Sequence, residues 1–158
     1  MPPELLFDLS QFDLQASPVF DKEAICRVNP QRYEMQQLDG ILWCDPELLL
    51  ILGYKDVTAN EFWIRGHIPG RPLMPGVIMI EAAAQLFSFF VQYALAEKAF
   101  VGFGGIESAK FRSTVTPGCR LYLLGHIVEK KSRKYTCAVQ GVVDGMLVFE
   151  SVVVGMRI

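Results

Sequence analysis

The chain has 158 residues, 51% of them apolar and 20% charged, with a formal net charge of -2. That length and composition describe one globular domain with a substantial core and exclude a disordered chain. The slightly acidic balance argues against a nucleic-acid binder, which carries a basic excess.

The first residues, "MPPELLFDLS", lack a basic start followed by an apolar core, so no signal peptide is expected and the chain is read as cytoplasmic. Two or three apolar turns run around Leu5–Phe12, with room for a short helix in this region. "YEMQQLDGILWCDPELLLILGYKDV" reads as two extended segments, with Asp45–Pro46 turning between them and Leu48–Leu52 as an apolar run of strand length. The Pro- and Gly-rich loop after "TANEFWIRG" forbids regular structure to about Met74. Pro75 suits the first position of a helix, where its missing N–H costs nothing. The helix is expected to run to about Lys98, about 35 Å at 1.5 Å per residue.

Beyond Lys98 the texture becomes extended. "FVGFGGIESAKFRS" contains a Gly-Gly break, and Thr116–Gly118 is a turn signal. Lys130–Lys134 and Asp144–Gly145 mark hairpins, the second strongly, since Asp-Gly lies between β-branched runs. The expected order is an extended pair, a loop, one long helix and about four antiparallel strands. This is a single α+β domain spanning 1–158, with the sheet curled around a central helix. Residues 1–25 form an N-terminal extension without an assigned role.

Cys26, Cys44, Cys119 and Cys137 form no C-x-x-C pair, so four reduced, mostly buried thiols are expected. Neither His67 nor His126 stands in metal-ligand spacing with them, so no metal is expected. The apolar run 75–96 raises the question of a membrane span. Glu81, Gln85 and Gln92 lie far from its ends, a central carboxylate is costly in lipid, and basic flanks are missing. It reads as a helix buried in protein.

On that helix Glu81, Gln85, Ser88 and Gln92 fall on one narrow line of an otherwise apolar rod. A thin solvent stripe or a subunit seam accounts equally well for Ser88 and Gln92. Glu81 differs, because it lies two turns into the helix, beside the loop carrying His67. Buried carboxylates are rare unless paired or functional. Gly66, Pro69 and Gly70 fix the turn around His67. The helix start at Pro75–Gly76 offers free N–H groups and a positive dipole end to a developing oxyanion.

These residues carry a resemblance. "GHIPGRPLMPGVIMIEAAAQ" resembles the signature of the β-hydroxyacyl-[acyl carrier protein] dehydratases of the FabZ/FabA type. There a His is followed fourteen positions later by Glu or Asp, and four further on by Gln, here His67, Glu81 and Gln85. "FGGIESAKFRSTVTPG" is similar to a second block of that family, and the resemblance spans roughly Pro30 to Ile158. Two departures stand out. Ile68 replaces the usual Phe after the histidine. In "PQRYEMQQLDG", Gln36 and Gln37 replace apolar residues, in a segment where chain-length preference or assembly can differ.

The resemblance implies a hotdog fold, a long helix wrapped by a bent antiparallel sheet. It also implies a homodimer, often three dimers in a hexamer, with His67 of one copy facing Glu81 of the other. The implied reaction is dehydration of a (3R)-3-hydroxyacyl thioester to the trans-2-enoyl thioester in fatty acid biosynthesis, on acyl carrier protein or CoA, without a cofactor. His67 is the expected base, Gly76 the oxyanion donor, Glu81 the acid or the group that orients a water, and Gln85 its orienting partner. Met79, Phe87 and Phe103 are candidate walls of an acyl tunnel. Arg65, Arg71, Lys110 and Arg112 either dock an acidic carrier or form a solvated rim. Two rivals stand beside this reading: a hotdog acyl thioesterase using Glu81 to activate water, and a non-catalytic acyl-binding protein.

Overall fold

The computed structural model describes residues 3–158. Seven antiparallel strands form one sheet. In chain order they are β1 (Phe20–Asp21), β2 (Gly40–Asp45), β3 (Leu50–Val57), β4 (Val101–Phe111), β5 (Cys119–Lys130), β6 (Lys134–Val143) and β7 (Met146–Arg157). Their order across the sheet is β1-β2-β3-β5-β6-β7-β4. A short helix, α1 (Lys22–Val28), precedes β2, and the long helix α2 (Gly76–Phe89) lies between β3 and β4. The expected extended pair, helix and four later strands are all present. β4 runs through its glycines as one strand with two register shifts against β7.

The sheet wraps α2 because the inner strand positions and most of the helix are apolar. Leu86, Phe89, Leu121, Leu123, Ile51 and Val153 are all buried in one core. Close approach of helix to sheet requires glycine on the strands. A Cβ at Gly53 would stand 2.7 Å from Leu86, and one at Gly155 would stand 2.8 Å from Phe87. The helical segment Gly76–Ala94 is apolar enough in composition to cross a membrane, but 61% of that window is buried inside the protein. It is the core helix.

Three local expectations need correction. The helix does not reach Lys98. It widens into a π-helical turn at Phe90–Ala94, and Ala96 then takes a left-handed φ of 54°. Glu97 holds the exit by accepting from Tyr135 Oη at 2.7 Å and from the Ala99 N–H. Leu48 is exposed in the turn, and its strand begins at Leu50. Of the four free thiols, Cys137 is fully buried and the others half-buried. Burial pushes the Cys137 thiol up to about 12.

The hairpin at Asp144–Gly145 has φ of 49° and 77°, the paired left-handed geometry that Asp-Gly favours. The N-terminal extension lies across the outer face of the sheet. Leu5, Leu6, Phe7, Leu9, Phe12 and Leu14 pack on a second apolar cluster that includes Trp43, Leu52, Tyr122 and Leu124. Phe12 and Phe7 sit 4.9 and 5.6 Å from Trp43, ring to ring. Gln140 fixes the strap by accepting from Leu6 N–H at 2.8 Å and donating to Glu4 O at 3.0 Å.

Candidate active site

The loop before α2 is fixed by its own backbone. His67 N–H donates to Trp63 O, Arg71 N–H to Ile68 O, and Met74 N–H to Val115 O, at 2.8–2.9 Å. Gly70 takes the left-handed turn at φ 78°. This holds the exposed His67 ring with Nδ1 2.9 Å from Leu73 O. A carbonyl only accepts, so Nδ1 donates in this contact and Nε2 is the ring nitrogen without a partner in it.

His67 and Gly76 line one apolar cavity of about 370 Å³, with Met79, Phe111, Ser113 and Thr114 among its walls. Pro75 caps α2 without a side-chain bond, so the first N–H groups of the helix face outward without partners in the helix. The positive end of the helix dipole therefore points to the space beside the imidazole. Phe111 presses on Gly76, where an added Cβ would meet the ring at 2.7 Å.

Glu81 is half-buried and opens elsewhere. It lines a cavity of about 120 Å³ with Gln85, Phe87, Ser88 and Phe103. It also lines a second of about 250 Å³ with Val77, Ile80, Phe103 and Ile106. Among the described residues it is the one titratable side chain in either wall and takes part in no ion pair. Gln85 Nε2 donates to Glu81 Oε1 at 2.8 Å, so the carboxyl is aimed by an amide. The lower pair of the polar line is also joined, since Gln92 Nε2 donates to Ser88 Oγ at 2.6 Å.

Within one chain, then, His67 and Glu81 line different cavities. The three tunnel candidates divide the same way: buried Met79 stands beside His67, whereas buried Phe87 and exposed Phe103 stand beside Glu81. Of the four cations, Arg65, Arg71 and Lys110 are exposed, while Arg112 is engaged with Glu150 at 3.1 Å. Lys110 adjoins the cavity wall residue Phe111. On the edge strand β4, Phe103, Ile106 and Phe111 are each about half exposed, leaving an apolar face beside Glu81. Sequence reasoning missed the grip on Gln85 from Asn29, Met35 and Gln37. The polar pair in "EMQQLDG" was the one signal that pointed there.

A sheet wrapped on a buried helix, with an oriented imidazole, a helix amino end and an amide-bonded carboxyl, defines a hotdog protein equipped for acid–base chemistry. The FabA-like domain family matches residues 29–152. A 3-hydroxyacyl-[acyl-carrier-protein] dehydratase FabZ of Sorangium cellulosum is 37% identical over 140 residues, covering 86% of this chain and 89% of the relative. The protein of the same name from Desulfotalea psychrophila is 35% identical, over 77% and 83%. The chain belongs to the FabZ/FabA-type family of hotdog dehydratases, which are hydro-lyases. A putative thioesterase, yhdA of Lactococcus lactis, has a similar structure at TM-score 0.64 and 10% identity, covering 77% of this chain and 92% of that one. That likeness concerns the fold alone.

Proposed function

We propose that the protein dehydrates (3R)-3-hydroxyacyl thioesters carried on acyl carrier protein, giving trans-2-enoyl thioesters for fatty acid biosynthesis. The observation that carries this reading is the bond from His67 Nδ1 to Leu73 O, which leaves Nε2 free beside the amino end of α2. The relatives' printed activity supports the substrate class.

In this reading Nε2 of His67 removes a proton from Cα of the substrate. Negative charge moves to the thioester oxygen, which the Gly76 N–H receives at the dipole end of the helix. One such donor is worth about 2.7–4 kcal/mol in other enzymes. The bond from Cβ to the hydroxyl then breaks, the electron pair of Cα closes the double bond, and Glu81 gives its proton to the departing oxygen. Water leaves, and solvent returns the two protonation states. Gln85 holds the Glu81 carboxyl in place.

Because His67 and Glu81 open into separate cavities of one chain, the site is completed by a second copy docking on the exposed face of β4. The protein works as a homodimer, which can assemble further into a hexamer. Arg65 and Arg71 flank His67 in the chain, Lys110 adjoins the cavity-wall residue Phe111, and all three are exposed, so they provide positive charge for an acidic carrier. Arg112, bound to Glu150, has the weaker claim.

Purified protein should be given 3-hydroxyacyl and saturated acyl thioesters of several lengths, on both acyl carrier protein and CoA. The expected result is growth of enoyl-thioester absorbance without free thiol. Release of thiol would establish the thioesterase instead. Absence of turnover on every length and carrier, by well-folded protein, would leave an acyl-binding protein. His67→Ala and Glu81→Gln should each lower the rate by about 10²–10⁴, the usual worth of positioned acid–base groups.

A further inference from the structure

Gln85 is 1% exposed, and every hydrogen-bonding direction of its amide that the fold uses is accounted for. Its Oε1 accepts from Gln37 N–H at 2.8 Å. Its Nε2 donates to Met35 O at 2.6 Å and to Glu81 Oε1 at 2.8 Å. Both amide hydrogens are thus engaged, and the amide cannot flip without losing all three bonds. Its backbone carbonyl also accepts from Asn29 Nδ2 at 2.9 Å. The segment from Asn29 to Gln37 therefore sets the direction in which Glu81 is held.

Two side chains fix that segment. Gln37 Nε2 donates back to Glu34 O at 2.5 Å, and Gln36 Nε2 donates to Leu38 O. The clips hold a strained stretch, because exposed Tyr33 sits at φ 54°, a region an unrestrained aromatic residue leaves. Gln36 and Gln37 are themselves 8% and 2% exposed, and the Oε1 atom of each is buried without a partner. Each side chain satisfies one main-chain carbonyl and strands its own acceptor, so the pair adds little net stability by hydrogen bonding.

We propose that Gln36 and Gln37 are positioning residues for the dehydration. By clipping Glu34 O and Leu38 O they hold Met35 O and Gln37 N–H at the spacing that grips the Gln85 amide, and through it the Glu81 carboxyl. The proposal rests on the reading of Glu81 as the proton donor.

The test is Gln37→Met, which keeps side-chain length and removes the donor, assayed for dehydration of a 3-hydroxyacyl thioester. The expected result is a Tm equal to or above that of wild type, with kcat lower by about 10–100-fold, the scale of a slightly misplaced reacting group. KM should stay within about twofold, since loss confined to kcat marks an interaction made only in the transition state. In a Glu81→Gln background the same substitution should have no further effect on kcat.

An unchanged kcat, or a full additive loss in the Glu81→Gln background, would overturn the proposal. Should Gln37→Met not fold, Gln36→Met breaks the neighbouring clip and is read the same way. Failure of both to fold assigns the pair a structural role and also overturns it. A Glu81→Gln protein as active as wild type would refute the reading of Glu81 itself, an outcome separate from all of these.

Discussion

Mixing two inactive variants tests whether the site spans two copies of the chain. In the proposed reaction His67→Ala lacks the base and Glu81→Gln lacks the acid. In one chain these residues line different cavities, so neither variant contains an intact site by itself. Co-expressed at equal levels, random pairing makes about half the dimers mixed. A two-fold interface gives each mixed dimer two composite sites. One site joins His67 of the Glu81→Gln copy to Glu81 of the His67→Ala copy and is intact, while the other carries both lesions. Activity per chain should therefore recover to about one quarter of wild type by this symmetry argument, against about 10²–10⁴-fold loss in each variant alone. The assay is enoyl-thioester formation by the co-purified mixture, with mass spectrometry confirming mixed dimers. Mixed dimers present at the expected fraction, yet no more active than the parents, would refute the shared site.

Lys55 and Glu61 form a buried pair at 2.9 Å, with side chains 5% and 10% exposed, and Lys55→Ala should cost about 3–5 kcal/mol by leaving the carboxylate unpaired. Burial works against ionisation of Glu61, but the Thr58 N–H and Lys55 outweigh it and hold its pKa below the ordinary 4.5. Its contribution is complete above that value and is lost as pH falls through the lower folded pKa. The Tm gap between wild type and Lys55→Ala should accordingly close in acid, and a gap constant with pH would refute the pairing. Burial raises the pKa of nearby Asp39 and Lys55 partly offsets that rise, so losing Lys55 raises it further and penalises the variant at neutral pH, a loss that also fades in acid. Phe12→Ala removes half of the aromatic cover on Trp43 and should cost about 1–2 kcal/mol. The emission of Trp43 should shift to the red while buried Trp63 is unaffected, and unchanged emission and Tm would refute the strap's packing. Gly76→Ala places a methyl where the Phe111 ring stands. It should leave stability within about 1 kcal/mol, given alanine's better helix propensity, yet lower kcat/KM by about tenfold as the cavity wall moves. An unaltered kcat/KM would show that this wall does not touch substrate.

The parts legible in the sequence are those whose cause is local. Pro75–Gly76 followed by an unbroken apolar run is enough to start α2, and Asp144–Gly145 is enough to turn β6 into β7. The end of α2 was misplaced because nothing near Lys98 stops a helix. The stop is Glu97 reaching Tyr135, a contact from another strand. The strap was unreadable for the same reason: Leu6 and Phe12 take their meaning from Trp43 and Gln140, far along the chain. His67, Gly76, Glu81 and Gln85 were legible as a spaced motif. The resemblance implies that His67 and Glu81 face each other across two copies; that they line different cavities within one chain is in neither the spacing nor the motif, and corrects the reading of Glu81 as lying beside the His67 loop. The grip of residues 29–37 on Gln85 rests largely on main-chain groups of Met35 and Gln37, which every residue has, so the polar pair Gln36–Gln37 was the one side-chain signal for it.

The strap gives the sheet a second covered greasy surface, and its first stretch is tied down by one amide, with Tyr122 Oη holding Leu14 O further along. Gln140 offers both its ends to the main chain of Glu4 and Leu6. A protein trimmed at its amino end would present that amide bare amid Leu52, Tyr122 and Leu124. Its fate would be decided by clumping long before its chemistry could be measured.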